Sequence, residues 1–327
     1  MVLNDKILEL DKVSMHFPVK KFGHKEEYVH AMDDISFSLY RGEILAIVGE
    51  SGSGKTTTAN VVAKLHRPTS GKIYFNGDNI YGKKIKKNNL EYRKNVQMIF
   101  QDPFGALNPT HTIRGILERP FLIHNLAERS ELEKRIKDVL VQVGLEPPEQ
   151  FIDKFPHELS GGQLQRINIA RAISVEPVLL LADEPTSMLD VSIRIIIMNM
   201  IKKFREKDNI SYLYITHNLA GARYIADRIG VMYAGMLMEL GPADKIIKNA
   251  YHPYTQLLRS AAPQPEKDFK DNQLTTQGEI PSLVNPPSGC RFHPRCPKAK
   301  PECSEKIPEM IKISENHQVR CVLYKPQ

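Results

Sequence analysis

No apolar stretch of this chain approaches the roughly 20 residues that a helix needs to cross a bilayer, which argues against a helical membrane-spanning protein. The opening Met1-Val2-Leu3-Asn4-Asp5-Lys6 lacks the basic, apolar, small-residue order of a secretory signal, so the expectation is a protein that stays in the cytosol. No heptad run is present, and no internal repeat occurs at the periods of solenoids. Aromatic residues make up 7% of the chain, and none interleave with basic residues in the pattern of a base-stacking platform. Cysteine is absent until Cys290.

At 327 residues with 41% hydrophobic content, the chain has enough apolar material for one or two substantial cores and is not disordered. Its formal charge of +7 suits a nucleic-acid binder or a protein docked at an anionic membrane face. Much of the excess is local, in Lys83, Lys84, Lys86 and Lys87 and in Lys20, Lys21, His24 and Lys25, and two solvated loops account for it equally well.

From Ile7 to about Pro263, short apolar runs alternate with helical patterns, which predicts an α/β core with a mostly parallel sheet. Ile44–Val48, Val178–Ala182 and Tyr212–Ile215 read as buried strands. Between about 103 and 176 the pattern turns helical, with Leu132, Ile136, Val139, Leu140 and Val143 on one face of an amphipathic helix. The expected organisation is a nucleotide-binding domain over 1–263 with a helical subdomain inserted at about 103–176. A polar, proline-rich linker and a small cysteine-rich domain then occupy 264–327. That last segment has too little apolar material for a core of its own.

Gly49, Glu50, Ser51, Gly52, Ser53, Gly54, Lys55 and Thr56 fit G-x-x-x-x-G-K-[ST], in which glycines let consecutive backbone N–H groups curl around phosphates. Lys55 would reach the β- and γ-phosphate oxygens and the Thr56 hydroxyl would ligate Mg²⁺. Thr57 continues into a helix whose N-terminal dipole favours the anion. Asp183 and Glu184 end the strand of residues 178–182, the edge where ligands bind in open α/β sheets. There Asp183 would hold Mg²⁺ and Glu184 would polarise the attacking water. His217 follows the strand ending Ile215-Thr216 and is placed to contact the γ-phosphate; a lone histidine reads better as a surface residue, but the spacing from Glu184 and Asp190 favours the functional reading. Ser160, Gly161, Gly162 and Gln163, after Leu159, open another helix and make a second anion site.

In that order, with Gln101 and Ser187-Met188-Leu189-Asp190, these motifs resemble the ABC ATPases over about residues 7 to 260. The resemblance implies a phosphate-loop ABC fold binding ATP and Mg²⁺, with catalytic Glu184 and His217. It implies that Gln101 joins Thr56 and Asp183 around the metal, that Phe17 stacks on adenine and that Asp190 couples the two sites of a dimer. Phe17 also reads as a core aromatic. It further implies that the Ser160–Gln163 segment faces the ATP held by another subunit.

Two segments narrow the resemblance. Phe100–Pro109, and His252-Pro253-Tyr254-Thr255 with Leu257-Leu258 and Ala261-Ala262-Pro263, are similar to stretches of the ATP-binding subunits of oligopeptide, dipeptide and nickel importers. This implies a peripheral protein at the cytoplasmic face of the cell membrane. Its partners would be a homologous ATPase or a second copy of itself, two transmembrane permeases and an extracellular solute-binding protein. No nucleic acid is expected, although the alternative of a soluble ABC-class ATPase acting on nucleic acid would use the basic runs near residues 20 and 83.

Cys290, Cys296, Cys303 and Cys321 are separated by five, six and seventeen residues. A cytosolic chain disfavours disulfides, which leaves a metal site or free thiols. The C-x₂₋₄-C knuckles common at Zn²⁺ sites are absent, whereas an iron–sulfur cluster accepts varied spacing. Residues 290–297 are similar to the tail of importer ATPases carrying a [4Fe-4S] cluster, and that is the cofactor the resemblance implies, with Zn²⁺ or unligated thiols as alternatives.

Overall fold

The computed structural model describes residues 5–19, 27–261 and 279–325. The basic run at 20–25 and most of the expected linker lie outside the described residues. In chain order the strands are β1 (Lys6–Val19), β2 (Glu27–Tyr40), β3 (Ile44–Val48), β4 (Ser70–Phe75), β5 (Asp78–Asn79), β6 (Val96–Ile99), β7 (Leu179–Asp183), β8 (Ser211–Thr216), β9 (Arg228–Tyr233), β10 (Met236–Pro242), β11 (Ile311–Ser314) and β12 (His317–Val319). The chain forms two compact units, one of residues 1–79 with 214–327 and one of residues 80–213.

The first unit contains an antiparallel sheet ordered β2-β1-β4-β5. It also holds a run of strands ordered β11-β12-β10-β9-β3, in which β3 and β9 are parallel. All five residues of β3 are buried, as its unbroken apolar sequence requires of a strand covered on both faces. Arg228 opens β9 and donates to the Glu43 carboxylate at 3.1 Å, so the acid preceding β3 is paired although it is almost completely buried. Burial raises the Glu43 pKa against the attraction of Arg228.

The cysteine-bearing tail packs within this unit. Strand β12 pairs with β10 through Glu239↔Val319 and Leu240↔Gln318, and Phe292 is fully buried against Tyr233 and Tyr254. The tail's shortage of apolar residues is made good by strand pairing and by that one aromatic anchor. Glu239 is fully buried in β10, where it accepts from the backbone N–H groups of Tyr251 and His252 at 2.9 Å each and lies 2.7 Å from His317 Nε2.

In the second unit, β6 and β7 are parallel, with Met98↔Leu181 and Ile99↔Ala182 in register. Helices Pro103–Ala106, Ile113–Ile123, Leu132–Gln142 and Gly161–Ile173 separate them. The helix Leu132–Gln142 buries Leu132, Ile136, Val139 and Leu140, the face its period of 3.6 predicts. Strand β7 begins one residue later than its apolar run suggests and ends on Asp183.

Candidate functional site

In the first unit the expected phosphate-binding loop joins β3 to the helix Lys55–Val62. Two glycines make the loop possible. A Cβ at Gly49 would lie 2.1 Å from the Met232 carbonyl oxygen. Gly54 has φ 97°, a left-handed conformation costly to other residues, and its Cβ would lie 2.2 Å from the Ala31 carbonyl oxygen. The Lys55 ammonium is buried and donates to the carbonyls of Gly49 and Glu50 at 2.9 Å each, which folds the loop back over its own lysine. Ser53 Oγ is buried without a hydrogen-bond partner in the structure. An unsatisfied hydroxyl beside a buried cation suits a polyanionic ligand. The dipole of the helix at Lys55 adds to that preference.

Also in this unit, Phe17 is half-buried opposite Val29 and meets the His66 ring edge-on at 5.2 Å. His217 is exposed immediately after β8, and the Asn218 side chain beside it caps the next helix by accepting from Gly221 N–H at 3.0 Å.

In the second unit the register of β6 with β7 brings Gln101 beside Glu184, and the Gln101 amide donates to the Glu184 carboxylate at 3.5 Å. Asp183 is buried, whereas Glu184 is half-buried with φ 42°, an uncommon backbone conformation for a non-glycine residue. Backbone strain of this kind clusters at functional sites. The Ser187 N–H and hydroxyl both donate to the Glu184 carbonyl at 3.1 Å and so fix the turn that carries the acid. Exposed Asp190 is the N-cap residue of the helix Val191–Asp208.

Ser160 caps the helix Gly161–Ile173. Its hydroxyl accepts from Gln163 N–H at 3.3 Å, and the Gln163 side chain accepts from Ser160 N–H at 3.0 Å. This reciprocal box uses the Gln163 side-chain oxygen and leaves the turn open at Gly161, where no atom lies within 4 Å of an added Cβ.

Sequence reasoning missed the far side of that helix. Gln165 donates to the Pro185 carbonyl at 2.9 Å, next to Glu184, and Asn168 donates to the Phe100 carbonyl at 3.3 Å, next to Gln101. Arg171 donates to the Ala106 carbonyl at 2.9 Å and to Asn168 at 3.1 Å. Burial lowers the Arg171 pKa. The helix that presents Ser160 is thereby bonded to the segments carrying Glu184 and Gln101. A run of polar residues on an otherwise buried helix face, Gln165, Asn168 and Arg171 at intervals of three, was the signal available.

The ABC transporter family model matches residues 32–187, and the model for the oligopeptide/dipeptide transporter C-terminal region matches residues 238–303. The oligopeptide transport ATP-binding protein AppF of Bacillus subtilis is 46% identical, with 98% of each chain covered. OppF of Salmonella typhimurium is 41% identical over 98% of this chain and 97% of its own. Among solved structures, the ATP-binding cassette MJ0796, a post-hydrolysis dimer with ADP and Pi, matches with TM-score 0.64 and 30% identity over 72% of this chain and 98% of its own.

The expected [4Fe-4S] cluster is corrected by these findings. Relatives aligned across the tail as well as the core are described as ATP-binding proteins, with no cluster. Among the described residues, His16, His30 and Asp33 are the one set of three or more histidine, cysteine and acidic side chains whose ligand atoms lie within 4.8 Å of one another. The four sulfurs do not meet that spacing. The cavity they line with Phe292 and Leu323 holds about 10 Å³, room for no more than one water. Burial pushes the Cys290 thiol up to about 11 and raises Cys296 and Cys321.

A cassette core matched over residues 32–187, a peptide-transporter C-terminal region at 238–303 and full-length relatives above 40% identity place this chain in one family: it is an ATP-hydrolysing, ATP-binding subunit of the oligopeptide/dipeptide ABC transporters.

Proposed function

We propose that this subunit drives peptide uptake by closing on a second ATPase around two ATP molecules, each held by the phosphate loop of one subunit and the Ser160–Gln163 turn of the other. The observation that carries this reading is the open turn at Gly161, whose helix N-terminus is accessible to an anion brought by another chain. The dimeric MJ0796 cassette supports it.

Within each site the loop N–H groups and Lys55 bind the phosphates, with Lys55 leaving the carbonyls of Gly49 and Glu50 for phosphoryl oxygens. The oxygen donors of Thr56, Gln101 and Asp183 suit Mg²⁺, which when bound draws charge from the phosphoryl oxygens. Glu184 takes a proton from the attacking water, and Gln101 keeps the carboxylate oriented. His217 donates to the γ-phosphate, Phe17 stacks on the adenine and Asp190 relays closure between the sites. Dimer closure turns two membrane permeases outward toward an extracellular binding protein, and hydrolysis resets them at the cytoplasmic face.

Mixing a Lys55→Ala chain with a Ser160→Arg chain tests the arrangement. Each homodimer is inactive, while the mixed dimer retains one intact composite site and recovers partial ATPase activity. No recovery in a proven mixed dimer would overturn the shared site.

A further inference from the structure

Glu50 is the one acidic residue in the phosphate loop, and its side chain points to a partner 245 residues away. The Arg295 guanidinium donates to its two carboxylate oxygens at 2.9 and 3.2 Å, a forked pairing that fixes direction as well as charge. The pair is well shielded, with 10% of the Arg295 side chain and 24% of the Glu50 side chain exposed. Arg295 also donates to the Tyr233 hydroxyl at 3.1 Å and lies 5.6 Å from the centre of that ring. The backbone of Glu50 is held as well. Its N–H donates to the Tyr254 hydroxyl at 3.0 Å, and its carbonyl accepts from Lys55 at 2.9 Å.

The segment that supplies Arg295 is firmly anchored. Phe292, three residues earlier, is fully buried with Tyr233 and Tyr254 each 5.3 Å from its ring. Arg291 donates to the Ala234 carbonyl and to Asp33. On the other side of the loop, Gly235 N–H donates to the Ser53 carbonyl at 3.0 Å. All of these residues belong to one compact unit.

We infer that the C-terminal extension latches the phosphate loop through Arg295, a positioning residue that fixes Glu50 and neutralises its carboxylate so that the loop meets ATP already ordered. The inference rests on the reading of Gly49–Thr56 as the ATP-binding loop. Two physical effects act in the same direction. A loop held in place before binding does not have to be ordered by the ligand. A carboxylate in a polyphosphate-binding loop repels that ligand unless a cation is bound to it. Lysine is a poor substitute, because a point charge lacks the guanidinium fork.

The test is Mg-ATP binding and steady-state hydrolysis by the full chain carrying Arg295→Gln, with thermal melting without nucleotide as the control for folding. Arg295→Gln raises both Kd and KM for ATP about tenfold, while kcat at saturating ATP stays within about twofold. Arg295→Lys falls between wild type and Arg295→Gln. The double variant Glu50→Gln/Arg295→Gln binds ATP no more weakly than Arg295→Gln, since the carboxylate left bare by the single change is gone. Should Arg295→Gln fail to fold, Arg295→Lys and its combination with Glu50→Gln supply the same comparison. Unchanged Kd in a folded Arg295 variant, a fall in kcat with KM unchanged, or losses that add in the double variant would overturn the latch. Failure of the wild-type chain to bind Mg-ATP is a separate result, which removes the reading of the loop itself.

Discussion

Replacing His252 with asparagine isolates a titration that the fold imposes. His252 is fully buried, and its Nδ1 accepts the Tyr254 backbone N–H at 3.0 Å, so the ring proton resides on Nε2 and a second proton has no place to bind. Nε2 is itself buried without a partner in the structure. Burial pushes the His252 pKa down to about 4, against the opposing attraction of Glu239. The unfolded chain takes up this proton near its ordinary value of about 6.5, so between the two pH values the unfolded state binds more protons and stability rises with pH. The stability is fully present above 6.5 and is lost as pH falls toward 4. The slope reaches about 1.4 kcal/mol per pH unit between the two values, which gives a loss of about 2 kcal/mol between pH 6.5 and pH 4.5. Asparagine offers an acceptor to Tyr254 N–H and does not titrate. Urea denaturation at half-unit steps from pH 7.5 to 4.5 therefore shows a steeper decline in wild type than in His252→Asn, with the curves converging in acid. Parallel curves across that window would refute the reasoning.

Two further changes probe the scaffold of the loop. Gly54→Ala forces a side chain into a φ of 97° and to 2.2 Å from the Ala31 carbonyl oxygen, and lowers unfolding free energy by about 2–4 kcal/mol together with nucleotide affinity; a urea midpoint equal to wild type contradicts this. Phe292→Ala empties the space against the Tyr233–Tyr254 pair, costs about 3–5 kcal/mol and exposes the tail to limited proteolysis before the core; an unchanged cleavage pattern contradicts it.

What could be read from the sequence was local. Ile44–Val48 is apolar without interruption and flanked by polar residues, so its burial as β3 needs no knowledge of partners. The phosphate loop, the acids closing β7 and the cap at Ser160 are contiguous motifs whose chemistry lies in adjacent residues. Long-range pairing was hidden. Strands β1 and β2 each run 14 residues through repeated register shifts, with Lys12 and Asp34 at positive φ, and no simple alternation marks them. Glu239 looks like a surface residue until His317 and the Tyr251–His252 turn close over it. Gln165, Asn168 and Arg295 acquire their roles from groups 20, 68 and 245 residues distant, separations that no local pattern encodes.

The central claim is that peptide movement is powered through Glu184. The direct measurement is phosphate release and ATP retention by the complex of this subunit with the proposed permeases in proteoliposomes, with and without peptide and the proposed binding protein, for wild type and Glu184→Gln. The account predicts peptide-stimulated release in wild type. It predicts that Glu184→Gln retains ATP with turnover reduced by at least about 100-fold, because Lys55 and the loop remain while the proton acceptor is lost. Hydrolysis by Glu184→Gln at the wild-type rate, or a wild-type rate indifferent to peptide, would contradict it.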